Sequence, residues 1–414
     1  MNVTDRNPAQ WVTLAGCRKV LVVVHTEVYG RRLLDVLPLL ASDLRVQVAF
    51  TVAPHAFNGG TRRALHGVGE VVLPWEEAVR TEFDLALAAG SQGTERLRAP
   101  LVRLPHGAGH IKLSRVADAR AAGEPRAVGG MGRSYLMWGD RVVPAAYAVA
   151  HDEDLALLRV SCPEAVPITE VVGDGVHDRI AASMPLRERY RLALGLRQGE
   201  RLVLVSSTWG LGSSFNRLDA LLPRLLTELP GRGYRIAVLV HPNVWSGHGD
   251  WQVRSWLAAL RRRGVVLVSP GTDWRPLLVA ADWVLGDHGS VTLYATMTRA
   301  AILLARFPEE DVNPDSPGAE LARTAPALSV AHPLAEQLAY AAEAYPTEAY
   351  ARIAARISSE PGRFDANMRR LLYRILRLGE PAYQPVTAPL PDPRPLETEG
   401  AAHGRPEDWS EVSA

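Results

Sequence analysis

The run "LLVAADWVLGDHGSVTLYATMTRAAILL", residues 277–304, decides the fold. A continuous apolar stretch breaks off at Gly-Asp-His-Gly-Ser and then resumes. Short, wholly apolar runs suit strands covered on both faces of a parallel sheet, and the reading is strand "DWVLGDHG", helix "VTLYATMT", strand "AAILLA". A strand-to-helix turn needs one capping residue, for which Ser290 suffices. Asp287 and His288 exceed that need, and Gly286 and Gly289 let the backbone turn tightly and approach a ligand. The amides of Gly289, Ser290 and Val291, together with the helix dipole, would favour a phosphate.

Outward from this segment the same alternation continues. Before it come helix "PLRERYRLALGL", strand "RLVLVSST", helix "RLDALLPRLLTEL", strand "RIAVLVHP", helix "WQVRSWLAALRRRG", strand "VVLVSP" and helix "DWRPLLVAA". Nearer the N-terminus an earlier series runs through "KVLVVVHT", "YGRRLLDVLPLLAS", "RVQVAFTV", "GEVVLP", "FDLALAAG" and "PLVRLPHG". Strands alternating with helices build βαβ units, so the expected class is α/β, with two Rossmann-like doubly wound domains facing across a cleft. No sequence period repeats, so the two are similar architectures and not an array. The expected boundaries are 1–168 for an N-terminal acceptor domain, 169–345 for a nucleotide-donor domain, 346–378 for C-terminal helices and 379–414 for a Pro-rich, polar, disordered tail.

Composition narrows the partners. With 46 basic and 45 acidic side chains among 414 residues the net charge is +1, which gives no global field toward nucleic acid. Cys17 and Cys162 are far apart and form neither a disulfide framework nor a zinc knuckle. The N-terminus lacks an apolar signal core and no run is long enough to span a bilayer, so a cytoplasmic location is expected. The Arg-rich helix within 184–201 offers a peripheral contact with an anionic membrane surface. Oligomeric state is not legible.

Ligands of doubly wound sheets lie outside the carboxyl ends of the strands, and four strands end there in polar clusters. They are "LPHGAGHIK" with His106, His110 and Lys112, "VSSTWGLGSS" with Ser206, Thr208 and Trp209, "VLVHPN" with His241, and "GDHGSV". A histidine after a strand can serve as general base near neutral pH, and a lysine can hold a phosphate. His241, followed by Pro242, reads equally well as a structural strand-end residue. His106 and His110 are four apart, but Pro105 and the glycines argue against a helix and so against a zinc pair. Asp152 and Asp154 in "HDEDL" fit a solvated helix face, and "RRRG" at 261–264 a helix end.

In order, "LPHGAGHIK", "VVGDGVHD", "LVLVSSTWG", "LVHPN" and "PLLVAADWVLGDHGSVTLYATMTRAAILL" resemble the motifs of the CDP-glycerol glycerophosphotransferase family, the teichoic-acid-type polymerases and primases of GT-B fold. The resemblance covers about residues 100–305. It implies His106 as general base on an acceptor hydroxyl, and His241 with Asp287, Ser290 and the amides after them as a cradle for the donor diphosphate. It places Gly173 and Asp178 on a turn between domains and Thr208-Trp209 on a Thr-Trp-Arg motif. The family has Tyr-Ser where this chain has His288-Gly289, Arg where it has Gly210, and its lysine one residue before the position of Lys112.

The implied activity is transfer of a polyol-phosphate unit from a nucleotide-activated donor to an alcohol, without metal or cofactor. Three other readings stand beside it: a GT-B glycosyltransferase using a nucleotide sugar, a non-catalytic nucleotide-binding scaffold suggested by the departures, and, last, a metal-dependent hydrolase.

Overall fold

The computed structural model describes residues 14, 16–61, 65, 71–114, 126–229 and 233–396. They divide between two compact units, each drawn from three stretches: Met1–His106, Gly130–Gly175 and Ser359–Thr387, and Gly107–Gly129, Val176–Ser358 and Ala388–Ala414.

The first unit is built on β1 (Arg18–Val24), β2 (Val46–Val52), β3 (Val72–Leu73), β4 (Leu85–Ala88), β5 (Leu101–Arg103), a β6–β7 hairpin (Met137–Trp138 and Arg141–Val142), β8 (Ala146–Val149) and β9 (Thr169–Val171). The seven-stranded sheet has the order β3-β2-β1-β4-β5-β8-β9, and its pairings are parallel. Successive side chains on a strand point to opposite faces, and here both faces are dry. Val20 and Val22 pack with Leu85 and Leu87 on one side, while Leu21 and Val23 pack with Trp75 and Phe83 on the other. The helix Phe364–Leu376 closes the first of these layers with Phe364, Met368, Leu371, Leu372 and Leu376, an i, i+4, i+7 stripe.

The second unit carries β10 (Arg201–Ser207), β11 (Tyr234–Val240), β12 (Val266–Leu267), β13 (Trp283–Gly286) and β14 (Ala301–Leu304), parallel throughout in the order β12-β11-β10-β13-β14. The chain winds outward from β10 through β11 to β12, then returns to the other side of β10 for β13 and β14. The switch point therefore lies between β10 and β13, where an open α/β sheet leaves its crevice. Leu202 and Leu204 face one layer of core and Val203 and Val205 the other.

Several expectations change. The contiguous domains at 1–168, 169–345 and 346–378 give way to interleaved ones. The helix Thr347–Ala355 buries Tyr350 and Ile353 in the second unit, whereas Phe364–Leu376 belongs to the first. An amphipathic stripe states that a helix must be covered, not by what. Residues 379–396, expected within a disordered tail, form neither helix nor strand but pack on the protein. Leu390 is buried, its carbonyl accepts from the Tyr190 hydroxyl at 2.6 Å, and the Leu396 amide donates to Leu194 O at 3.0 Å. The rest of that tail, 397–414, lies outside the described residues. In the Arg-rich helix, Arg187 and Arg191 reach Asp282 at 2.6 and 2.9 Å, and Arg189 forms an exposed pair with Asp392. The Arg187 and Arg191 guanidiniums are thus turned to the protein itself, while Arg189 stays on the surface. Among the described residues no helix is long and apolar enough to cross a membrane.

Candidate functional site

At the switch point of the second unit, Asp287 is the residue around which the loops are organised. It is 1% exposed. Its Oδ2 accepts from the Thr208 amide, the Thr208 hydroxyl and the Ser214 amide, each at 2.9 Å, and its Oδ1 accepts from the Gly289 amide at 3.1 Å. A carboxylate so engaged ties the loop after β10 to the loop after β13. It faces inward, toward protein donors. Because the Gly289 amide is drawn back to Asp287, β13 ends at Gly286 and not at the Gly289 expected from the sequence.

Ser290 does not cap the next helix. Gly289 is the N-cap residue, with no side-chain cap, and Ser290 is the first residue of a five-residue helix, Ser290–Tyr294, that tightens into a 3-10 turn over Ala295–Met297. The Ser290 hydroxyl instead accepts from the Ala108 amide at 3.2 Å, and a Cβ on Gly107 would lie 2.7 Å from it. One turn of helix carries little dipole, so the attraction for an anion must come largely from side chains. Val291 follows in that same turn, half-buried.

The loop leaving β10 has its own constraints. Ser206 and Thr208 are buried, and Ser207 Oγ accepts from the Phe215 amide at 2.7 Å. Gly210 stands at φ 87°, a left-handed conformation in which an arginine would be strained, so the family's Thr-Trp-Arg cannot be followed here without rebuilding the turn. Gly289 is similarly forced: a Cβ there would meet Thr208 Cγ2 at 2.5 Å. The two departures have different causes: a left-handed backbone in open space at Gly210, and a close approach to Thr208 at Gly289.

The cation at this edge is Lys112. Its strand-like segment pairs with Val312, and the loop is pinned by Asn313 N to Ile111 O at 2.7 Å and Gly129 N to Lys112 O at 2.7 Å. His110, at φ 42°, donates from Nδ1 to Gly129 O at 3.0 Å. The Lys112 ammonium lies 5.9 Å from the centre of the Trp209 ring, and among the described residues no carboxylate forms an ion pair with it. Burial lowers its pKa, with Asp287 and Asp311 opposing.

Next to it, His288 is 6% exposed and its Nδ1 is buried without a hydrogen-bond partner. Burial, and after it the charge of Lys112, pulls its pKa down to about 4, so the ring is neutral at pH 7.

His241 follows β11 and is half-buried. Its Nδ1 accepts from the Asn243 amide at 3.0 Å, capping the helix Pro242–His248. That is the structural role the sequence left open; it also puts the proton of the neutral ring on Nε2. Asp154 likewise resolves as a cap, its Oδ2 accepting from the Ala150 and His151 amides at the start of helix Asp152–Ser161.

His106 belongs to the first unit, three residues beyond the end of β5 and two beyond the buried Leu104. It is exposed and its ring is 4.3 Å from that of Tyr29. The structure adds neighbours that the sequence reading missed. His25 follows β1 and His55 follows β2, and Tyr29 lies 6.2 Å from each. His25 Nε2 donates to Gln92 O at 2.8 Å, and burial lowers its pKa to about 4. A Cβ on Gly90, after β4, would lie 2.7 Å from His25 Nδ1. The signal was the one that found His106, a histidine directly after an apolar strand. Among the described residues no group of three or more His, Cys, Asp or Glu is placed to hold a metal ion.

No protein-family model matches the chain, and no curated protein sequence matches it. Solved structures do. A variant of the wall teichoic acid polymerase TagF aligns with a TM-score of 0.56 at 10% identity, over 88% of this chain and 90% of the other. A variant of the same polymerase soaked with CDPG aligns with a TM-score of 0.57 at 11% identity, over 87% and 89%. At such identity the likeness is one of fold: the chain has the GT-B fold, with two Rossmann-like units.

Proposed function

We propose that the chain is a transferase that moves a polyol-phosphate unit from a nucleotide-activated, CDP-glycerol-like donor to an alcohol acceptor. The observation that carries this reading is the pairing of a desolvated Lys112 ammonium, without a carboxylate partner among the described residues, with the switch-point loops clamped by Asp287. An ammonium in that state gains most from an anionic ligand, and phosphoryl transfer needs mainly positioning and charge neutralisation. The shared fold with a polymerase solved after a CDPG soak points the same way.

In this reading the acceptor hydroxyl gives its proton to His106 and its oxygen bonds to the β-phosphorus of the donor. The bond from that phosphorus to the bridging oxygen breaks, and CMP leaves with the bridging oxygen. Lys112, Trp209, His288 and Ser290 line the donor side. Asp287 positions the loops and His241 fixes the helix after β11, so both act through the scaffold.

The test is release of CMP from CDP-glycerol in the presence of glycerol-like alcohols, with nucleotide sugars run in parallel. His106→Ala is expected to lose about 10²–10⁴-fold in turnover, the range of a general base, while donor affinity is kept. Turnover unchanged in that variant overturns the assignment of the base. Turnover with a nucleotide sugar alone replaces the donor.

A further inference from the structure

We infer that His288 and Lys112 form an anion subsite in which ligand binding is coupled to uptake of a proton by His288. The inference deepens the donor reading above and rests on it for the identity of the natural ligand, but not for the chemistry.

His288 is more than nine-tenths buried, its Nδ1 has no partner, and neither ring nitrogen is hydrogen-bonded to a described residue. A buried polar atom left without a partner is costly to the folded state, and a ligand that supplies the partner recovers that cost. The surroundings fix the sign of that ligand. Lys112 and Arg306 bring positive charge to the imidazole, and Asp287 and Asp311 bring negative charge. Asp287 is fully occupied by Thr208, Ser214 and Gly289, and the Asp311 carboxylate is held by Arg126 at 2.8 Å. Among the described residues neither cation, Lys112 nor Arg306, forms an ion pair, so the uncompensated charge around the imidazole is positive. On the remaining sides lie the Phe307 ring, edge-on at 6.5 Å, and Gly212, whose Cβ would stand 3.8 Å from His288 Cε1 and 3.0 Å from Pro308. A residue larger than glycine at 212 would close on the imidazole edge.

In the unliganded protein the ring is neutral. A phosphate seated beside Lys112 offsets the cation and presents oxygens to the unpartnered nitrogen, which then gains a proton from solvent and donates it as a charge-assisted hydrogen bond. No bond to phosphorus is made or broken in this step. Affinity for the anion therefore rises as pH falls, by at most about tenfold per pH unit while one proton is taken up.

The experiment is titration calorimetry at pH 6 and pH 8 in buffers of different ionisation enthalpy, using CDP-glycerol, whose diphosphate diester does not titrate there, and inorganic pyrophosphate. Wild type is compared with His288→Gln and Lys112→Met. The expected result at pH 6 is uptake of about one proton per anion bound, absent in His288→Gln and reduced in Lys112→Met. Binding of CDP-glycerol with no uptake, or with the same uptake in His288→Gln, overturns the coupling and leaves the donor reading intact. Pyrophosphate binding with His288-dependent uptake, without any binding of CDP-glycerol, sinks the donor and supports the subsite. Binding of neither anion overturns both. If His288→Gln does not fold, the imidazole C–H resonance of His288 in wild type decides: it must move to its protonated position when pyrophosphate is added at pH 6, and an unmoved resonance is refutation.

Discussion

Asp287 shows how one side chain can carry two arguments with opposite outcomes. As a surplus acid after a strand it marks the functional edge, and the edge is where the structure puts it. As a contact for a diphosphate it is poorly suited, because its oxygens already accept from Thr208, Ser214 and Gly289. Its position was legible from an apolar run interrupted by charge; its direction was not, because sequence does not say which amides converge on a carboxylate. The two functions separate by substitution. Asp287→Ala strands buried donors and is expected to cost about 3 kcal/mol or more, lowering the melting temperature by roughly 6–12 °C. Ser290→Ala removes one hydrogen bond and should cost no more than about 1.5 kcal/mol. A calorimetric melt of both variants checks this. A stable Asp287→Ala protein would mean that the clamp is dispensable.

At the scale of elements, both sheets place histidines after strands, and the buried ones, His25 and His288, give the fold an acid limit. His25, at the end of β1, has its pKa lowered by burial from 6.5 to about 4. In the window between those values the unfolded chain binds a proton that the folded one does not. Stability from this group is therefore present above about pH 6.5 and lost as pH falls toward 4. Between pH 7.5 and pH 5 the loss is roughly 2 kcal/mol. Denaturant midpoints at those two values should shift by more in wild type than in His25→Gln, and equal shifts would remove His25 from the account. The strands themselves were readable because dry apolar runs such as Val20–Val24 have few other uses. The ends were harder. The helix expected over "VTLYATMT" begins at Ser290 and gives way to a 3-10 turn after Tyr294.

For the whole molecule, two α/β units could be read from the alternation of periods, but their membership could not. The helix Phe364–Leu376 shows an apolar stripe that any sheet could cover, and only the tertiary contacts assign it to the first unit. Met368 and Leu372 are fully buried there, and the paired change Met368→Ala with Leu372→Ala should cost about 2–5 kcal/mol per site. Amide exchange is the measurement. Protection should fall in β1 and β4 and persist in β10 and β13; an equal fall in all four would show that the units unfold as one.

That assignment has a meaning in time. The strands β1–β5 of the first unit are made before residues 176–358, yet the helix that completes their core, Phe364–Leu376, is made after them. Residues 176–358, most of the second unit, are synthesised in between. The unit that begins first must wait, partly uncovered, for the one that begins second, so a nascent chain halted before Phe364 holds β1 and β4 with one face still open to chaperones.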